Sequence, residues 1–374
     1  YPLDHNRAYY MSFEKYSDGL HPHIFSFFSG SGFLDLGFES EGYEIVFVNE
    51  LFTPFLDAYK FSRQNMGIGQ PKYGYYNCSI EDFLNHEEKS LAIAVEGSRK
   101  DKKLIGFIGG PPCPDFSVGG KNRGIKGENG KLSQSYIDVI CRHLPDFFVF
   151  ENVKGLYRTA KHREFFNNIK EQLHRSGYSC TERLINAIEY GAPQDRERII
   201  LFGVRNGQLK KKIEYFDWMT ATVYPNRSAF DFPWPKSGEE GSDSPPTAVP
   251  LELTVQYWFD KNDVGRHPKA GLKKFMTLLE GDDSKKSYKR LHRWRYSPTA
   301  AYGNNEVHIH PYLPRRISVS EALAIQSLPK AFELPSSMTL TNMFKTVGNG
   351  VPFLAAKGIA KSIMVFLREN NPCK

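Results

Sequence analysis

The stretch LIGFIGGPPCPDF, residues 104–116, places a single cysteine at the end of a short apolar run. The run has the length and composition of a buried β-strand. Three prolines flank Cys113 and restrict the backbone on both sides of the thiol. A basic segment with five glycines follows at 119–130. A buried cysteine is usually only a small apolar side chain, but a fixed thiol beside a glycine-rich loop is typical of a nucleophile with a movable cover.

Four further apolar runs of the same kind lie along the chain, separated by helix-length stretches. The five runs are 24–28, 45–50, 104–110, 146–153 and 198–204. Helical periodicity also marks 318–328 and 353–370. Alternating strands and helices predict an α/β fold, Rossmann-like, with a mostly parallel sheet flanked by helices. Ligands of such folds gather beyond the carboxyl ends of the strands, where the polar residues of this sequence also fall.

The first run leads into a glycine-rich turn, and the second ends in an acid. Gly30 and Gly32 let the backbone approach a ligand, and Glu50 is placed to bond ribose hydroxyls. This pattern is typical of a nucleotide or adenosyl cofactor site, although a purely structural turn gives the same pattern. The spacing lacks G-x-G-x-x-G, which disfavours a hydride-transfer enzyme.

The fourth and fifth runs contribute a carboxylate and a pair of arginines. Glu151 ends the fourth run, and a carboxylate there is costly unless it is paired or used in chemistry. Arg196 and Arg198 precede or begin the fifth run and remain charged at any physiological pH. They can bind an anion or a carbonyl, or form an ordinary salt-bridge cluster.

Composition narrows the class of protein. The 374 residues carry a net charge of +7, which suits a polyanionic partner but also many metabolic enzymes. The five cysteines contain no C-x-x-C pair, so neither a zinc site nor a disulfide framework is indicated. No signal peptide is recognisable, and no apolar run approaches the roughly 20 residues of a membrane span. We therefore expect a cytoplasmic protein with no metal and no membrane partner.

Four motifs in this order resemble the cytosine-C5 DNA methyltransferase family of the restriction–modification type. They are PPC (111–113), ENV (151–153), QDRER (194–198) and TVGNGVP (346–352), preceded by the glycine-rich loop. The resemblance runs from about Phe25 to the final helix, apart from 206–285. It implies a catalytic, cofactor-binding domain of residues 1–205 completed by 330–374. Residues 206–329 would form a smaller, irregular target-recognition domain.

The resemblance implies a role for each catalytic candidate. The Cys113 thiolate attacks C6 of a flipped-out cytosine, and the methyl group of S-adenosyl-L-methionine is transferred to C5. Glu151 bonds N3 and the exocyclic amine of the base, and Asn152 holds the backbone of the site. Arg198 contacts the base carbonyl, with Arg196 as the second of the pair.

The cofactor residues follow in the same way, with some departures from the family pattern. The implied set is Phe28, Ser29, Gly30, Gly32, Glu50, Leu51, Ser79, Ile80, Pro112, Asn349 and Val351. Ser26 stands where the family usually has Asp, and Phe33 replaces a usual glycine. Ser79 occupies the place of the acid that bonds adenine, with Asp82 nearby.

Double-stranded DNA is the implied partner. Ser117, Lys121 and Arg123 lie in the glycine-rich loop that would close behind the flipped base. In the recognition region the candidate contacts are Arg290, Arg293, Arg295 and Tyr302, which would read bases or grip the backbone. The target sequence is not readable from these residues.

Two alternatives remain: a tRNA cytosine-C5 methyltransferase on the same scaffold, and a catalytically inactive DNA-binding regulator. The sequence lacks the Cys-Phe-Thr signature of the tRNA enzymes and keeps its reacting residues. We expect a monomer, with any cognate restriction endonuclease acting separately.

Overall fold

The computed structural model describes residues 19–112, 128–157, 159–208, 212–262, 273–302 and 306–370. Nine strands are assigned in these ranges: β1 (His23–Phe27), β2 (Glu44–Asn49), β3 (Tyr75–Tyr76), β4 (Ile105–Gly109), β5 (Phe147–Val153), β6 (Tyr178–Asn186), β7 (Glu197–Arg205), β8 (Tyr288–Arg290) and β9 (Val307–Ile309). The α-helices of the same ranges are α1 (Phe33–Ser40), α2 (Thr53–Asn65), α3 (Ser90–Lys100), α4 (Glu128–His143), α5 (Ala160–Arg175), α6 (Val255–Asn262), α7 (Val319–Ile325), α8 (Leu340–Asn349) and α9 (Phe353–Asn370).

Seven strands form one sheet in the order β3-β2-β1-β4-β5-β7-β6. The pairs from β3 to β5 are parallel, whereas β7 runs antiparallel to both β5 and β6. The predicted α/β fold with a mostly parallel sheet is confirmed, and each of the five predicted strands is present. Two strands of this sheet, β3 and β6, were not predicted, and neither was the separate pair β8 and β9.

Alternate residues of the central strands feed two cores, because successive side chains point to opposite faces of a sheet. Phe25 and Phe107 join the core under α3, α4 and α5. Ile24 and Ile108 join the opposite core, which α1 and α9 cover. The central strands are therefore apolar on both faces, as in a sheet that helices cover on both sides.

The last helix completes the sheet domain. Helix α9 packs along α1, and the Tyr43 hydroxyl donates to the Ala360 carbonyl oxygen at 3.0 Å. Among the described residues, one stretch, Leu340–Asn370, is long and apolar enough to cross a membrane by composition, which the sequence analysis missed. Of its apolar window, 72% is buried inside the protein, and a buried core helix has the same composition.

The irregular region begins by packing on the same core. Ile213 and Phe216 belong to the core that α9 covers, and the Phe216 ring lies 4.8 Å from Phe202 and 5.5 Å from Phe366, centroid to centroid. A third core joins α6 and α7 to α8 and to Phe33 of α1. The two regions thus share apolar packing in two cores, and the domain limits at 205 and 330 stay predictions.

Replacing Ile363 with alanine tests whether α9 is part of the core. Ile363 is fully buried, so Ile363→Ala should lower the free energy of unfolding by about 2–5 kcal/mol in urea denaturation. The exposed Lys361→Ala on the same helix should change it by less than about 0.5 kcal/mol. Equal effects of the two substitutions would contradict this packing.

Candidate active site

A cleft of about 590 Å³ lies beyond the carboxyl ends of β1, β2, β4 and β5 and is bordered by the end of α8. Most predicted site residues of the described chain line it. They are Phe28, Ser29, Gly30, Glu50, Leu51, Ser79, Ile80, Pro112, Glu151, Asn152, Arg198, Tyr302, Asn349 and Val351. Gly32 and Arg196 are placed beside the cleft, as described below. Cys113, Ser117, Lys121 and Arg123 lie outside the described residues.

Glu50 is held in a fixed orientation at the end of β2. Its Oε2 accepts from the backbone N–H of Gly30 and its Oε1 from that of Phe52, both at 2.8 Å. Burial raises the pKa of the Glu50 carboxyl, and the backbone donors oppose this shift. Each oxygen keeps a further lone pair, so the carboxylate can also accept from a pair of ligand hydroxyls.

The glycine-rich turn exposes its backbone to the cleft. Phe28 has a φ of 51°, Gly30 of 55° and Gly32 of 82°, so the turn requires left-handed backbone at three positions. A Cβ at Gly30 would meet nothing within 4 Å, which shows that the space in front of the turn is open. The open backbone and the oriented Glu50 fit the ribose and methionine parts of an adenosyl cofactor.

The Phe33 ring has room because the residue packed against it, Gly350, has no side chain. Its Cδ2 lies 2.1 Å from where a Cβ at Gly350 would be, and its ring packs edge-on against Phe332 at 5.1 Å. The aromatic ring at a usual glycine position is therefore matched by a glycine in the GNGV segment. The departure at Phe33 leaves both segments lining the cleft.

Ser79 and Asp82 form a reciprocal cap at the start of the short 3₁₀ helix Ile80–Leu84, where the sequence analysis expects the adenine. Ser79 Oγ accepts from the Glu81 N–H at 3.3 Å, and Asp82 Oδ2 accepts from the Ser79 N–H at 3.1 Å. Asp82 is thus engaged with the backbone of its own turn. Cys78 and Asn49 also line the cleft here, which the sequence analysis did not predict.

Glu151 and Arg198 form an ion pair on adjacent strands, with Nε and Oε1 2.9 Å apart. Burial raises the pKa of the Glu151 carboxyl, and the charges of Arg198 and Arg196 oppose that shift. Pro112, the residue before Cys113, lines the same cleft. The sequence motifs PPC, ENV and QDRER therefore converge on one place.

Arg196 is buried and is bonded to two segments that are distant from it in sequence. Its Nη1 donates to the Ala300 carbonyl at 2.9 Å and its Nη2 to the Gly348 carbonyl at 2.7 Å. Asn152 Oδ1 accepts from the Val153 N–H at 2.8 Å, and its Nδ2 is buried without an acceptor among the described residues. Arg196 therefore supports the site, and the Asn152 amide retains a donor beside the start of the cysteine segment.

Two arginines of the basic run in the recognition region form hydrogen bonds within the protein. Arg290 donates to the carbonyls of Pro311 and Leu278 at 2.7 and 2.8 Å. Arg293 pairs with the buried Glu280 through two bonds of 3.1 Å. These internal contacts were not predicted from the charge pattern, and contact of either arginine with DNA stays a prediction.

Arg295 and Tyr302 differ in their surroundings. Arg295 is partly exposed and lies 5.1 Å from the Tyr296 ring. Tyr302 is buried, and its hydroxyl lies 2.9 Å from His308 Nδ1. Tyr302 borders the cleft from the recognition side, and its hydroxyl is already engaged in this one internal bond.

Several cleft-supporting residues were missed by the sequence analysis. A buried cluster of Asp35, Glu39, Tyr59 and Arg63 lies behind the glycine-rich turn. The one available signal was a pair of acids four residues apart in an otherwise apolar helix, and this pattern also fits an exposed helix face. The described residues also lack the grouping of side chains that a metal site requires. Among them, no group of three or more His, Cys, Asp or Glu side chains is arranged to hold a metal ion.

The sheet and its cleft define a Rossmann-like class I methyltransferase. A model of the C-5 cytosine-specific DNA methylase family matches residues 23–365. The chain belongs to this family and is a cytosine-C5 DNA methyltransferase.

Curated relatives agree with the family match. The chain is 63% identical over 357 residues to the Type II methyltransferase M.NmeDI of Neisseria meningitidis serogroup C, covering 93% of this chain and 84% of that protein. It is 28% identical to the Type II methyltransferase M.FnuDI of Fusobacterium nucleatum, covering 94% and 96% of the two chains.

Solved structures share the fold. A prophage-encoded protein of E. coli, described as a DNA modification methyltransferase, matches with a TM-score of 0.63 and 23% identity over 93% of this chain and 99% of its own. The Dnmt2 methyltransferase of S. pombe matches with a TM-score of 0.59 and 12% identity over the same shares. At these identities the likeness extends to the fold alone.

A buried histidine at the recognition side predicts a pH effect on stability. Burial lowers the pKa of His308 from 6.5 to about 3, so the unfolded chain takes up a proton below pH 6.5 while the folded protein does not. Stability is therefore lost as pH falls. Between pH 7.5 and 5.5 wild type should lose about 1.4 kcal/mol more unfolding free energy than His308→Gln, measured by urea denaturation at both pH values. Equal losses would show that folding does not lower the pKa of His308.

Proposed function

We propose that this chain methylates C5 of one cytosine within a short sequence of double-stranded DNA, as the modification enzyme of a Type II restriction–modification system. The observation that carries the proposal is the Glu151–Arg198 ion pair, which lines the same cleft as Pro112. The 63% identity to a Type II methyltransferase supports the biological setting.

The cofactor of this reaction would be held by the first two strand ends and the GNGV segment. Glu50 would accept from the ribose hydroxyls, and the open backbone at Gly30 would contact the methionine part, completed by Asn349 and Val351. Leu51, Ser79 and Ile80 would enclose the adenine. S-adenosyl-L-methionine, when bound there, supplies an electrophilic methyl group.

The protein residues would activate the base by covalent catalysis. The Cys113 sulfur would form a bond to C6 of the cytosine, which shifts the electron pair of the C5–C6 double bond to C5. Glu151, whose pKa is raised by burial, suits a carboxyl that shares a proton with N3 of the base. After C5 is methylated, loss of the C5 proton and departure of the thiolate would restore the ring.

Arg198 would have two functions in this site. Its Nε holds Glu151 in place, and its guanidinium would contact the base carbonyl, as the family resemblance implies. Arg196, through its bonds to the Ala300 and Gly348 carbonyls, would hold the recognition region and the GNGV segment in fixed positions relative to Arg198. Both would place positive charge near the negative charge that develops on the base, since both arginines act on the Glu151 carboxyl.

We also infer contacts with DNA, a monomeric state and a separate cognate endonuclease. The loop residues Ser117, Lys121 and Arg123 would approach the DNA behind the flipped base, with Arg295 as a further contact. The protein would act as a cytoplasmic monomer, because one flipped base needs one active site. A cognate endonuclease would recognise the same sequence as a separate protein.

Replacing Cys113 tests the chemistry and the substrate together. Plasmid DNA from cells expressing wild type should carry C5-methylcytosine at one short motif in base-resolution sequencing, and DNA from Cys113→Ala cells should carry none. The variant should still bind duplex DNA containing that motif. Unmodified DNA from folded wild-type protein would overturn the proposal, and tRNA would then be assayed as the substrate.

Replacing Glu151 separates base activation from cofactor binding. Glu151→Gln keeps the shape but cannot hold the negative charge, so kcat should fall by about 10²-fold or more. Affinity for S-adenosyl-L-homocysteine, measured by calorimetry, should stay within about twofold. The exposed Glu171→Gln on α5 is the matched control and should retain full activity. A Glu151→Gln enzyme with wild-type kcat would exclude the carboxylate from the reaction.

A further inference from the structure

A buried charged cluster lies behind the glycine-rich turn, and one of its members, Asp35, reaches the lining of the cleft. It consists of Asp35 and Glu39 on α1 and Tyr59 and Arg63 on α2. Asp35 accepts from Ser26 Oγ at 2.8 Å and from the Tyr59 hydroxyl at 2.9 Å. Arg63 pairs with Glu39 through Nη2 and Oε2 at 2.9 Å. The cluster therefore ties β1, α1 and α2 together.

Every member of the cluster is at least nine-tenths buried. Burial raises the pKa of Glu39 to about 7, and the charge of Arg63 opposes that shift. Removing an ion pair from water costs free energy that its Coulomb attraction does not reliably repay, so such a cluster is weak evidence for added stability. The contact of the cluster with the glycine-rich turn indicates a role other than added stability.

Arg63 is directly bonded to the turn that faces the cofactor. Its Nη2 donates to the Gly32 carbonyl oxygen at 2.8 Å, and its guanidinium carbon lies 4.2 Å from the Tyr59 ring centre. Gly32 has a φ of 82°, and a Cβ there would lie 2.5 Å from Tyr59 Cε2. The ring and the guanidinium thus form a surface against which only glycine fits, and they fix the peptide that begins α1.

We propose that Arg63, oriented by Glu39 and Tyr59, is a positioning residue that sets the backbone of the Gly30–Gly32 turn for cofactor binding. The inference rests on the proposed cofactor site. Arg63 touches no part of that ligand and acts through the Gly32 carbonyl. Asp35 completes the arrangement, since it anchors Tyr59 on one side and Ser26, two residues before Phe28, on the other.

Arg63→Lys tests the bond to the turn. Lysine keeps the charge but lacks the planar fork that reaches Glu39 and Gly32 together. The Kd for S-adenosyl-L-homocysteine should rise about tenfold in calorimetry, and the KM for S-adenosyl-L-methionine should rise in parallel. At saturating cofactor, kcat should stay within about threefold, and binding of duplex DNA should not change.

Two further variants keep the inference testable if Arg63→Lys does not fold. Tyr59→Phe preserves the ring against Gly32 and removes only the bond to Asp35, so it should raise the same Kd by a smaller factor. Arg175→Lys, on the exposed face of α5, is the matched control and should bind like wild type. Each protein is checked by its thermal midpoint before binding is measured.

The outcomes separate the inference from the proposed function. Wild type that fails to bind S-adenosyl-L-homocysteine would overturn the proposed cofactor site itself. Wild type that binds, together with a folded Tyr59→Phe or Arg63→Lys of unchanged Kd, would overturn the positioning role alone. A lower thermal midpoint with wild-type Kd has the same meaning, because a merely structural cluster affects stability without affecting the affinity of the folded protein.

Discussion

The buried guanidinium of Arg196 joins three parts of the chain on which the geometry of the cleft depends. It lies immediately before β7 and donates to the carbonyls of Ala300 and Gly348, 104 and 152 residues further along the chain. A buried charge without such acceptors would be strongly destabilising, so the start of β7, the recognition segment and the end of α8 must meet. Gln194 adds two bonds at the same junction, to Gln326 Oε1 at 3.2 Å and from the Ala300 N–H at 3.0 Å. Arg198, two residues on, is thereby set against Glu151.

The sequence predicted the parallel part of the sheet because those strands are apolar on both faces. Short apolar runs give a clear pattern when helices cover the sheet on both sides. The strand β6 escaped this reasoning because it lies at the edge of the sheet, and its residues from Ser179 to Leu184 are only partly buried. The strand β3 is two residues long and has no pattern of its own. The direction of β7 depends on its pairing with β5, which no local pattern encodes.

The cleft residues that could be predicted are polar or conformationally restricted residues that lie at the ends of predicted strands. Glu50 and Pro112 follow strands, and Glu151 lies near the end of β5. These strand ends meet at one edge of the sheet, so the motif order was enough to bring the three residues together. The supporting residues gave no such signal, since Arg63 on α2 has the pattern of an exposed helix residue until α1 is packed against it. The internal contacts of the basic run could not be predicted for a related reason. A guanidinium binds carbonyls and carboxylates as readily as phosphates, and which acceptor Arg290 and Arg293 meet is decided by tertiary structure.

Two departures from the family pattern, at Ser26 and Phe33, are each explained by a residue that lies next to the departing side chain. Ser26 stands where the family usually has Asp, but its hydroxyl donates to Asp35, so a carboxylate still lies beside the end of β1. Phe33 replaces a usual glycine, and its ring occupies the space that a side chain at Gly350 would need. In each pair a change on one segment is matched on another segment of the same cleft. A substitution that removes a family residue therefore says little about a site until the side chains around it are known. Here they preserve the turn, the orientation of Glu50 and the opening between them.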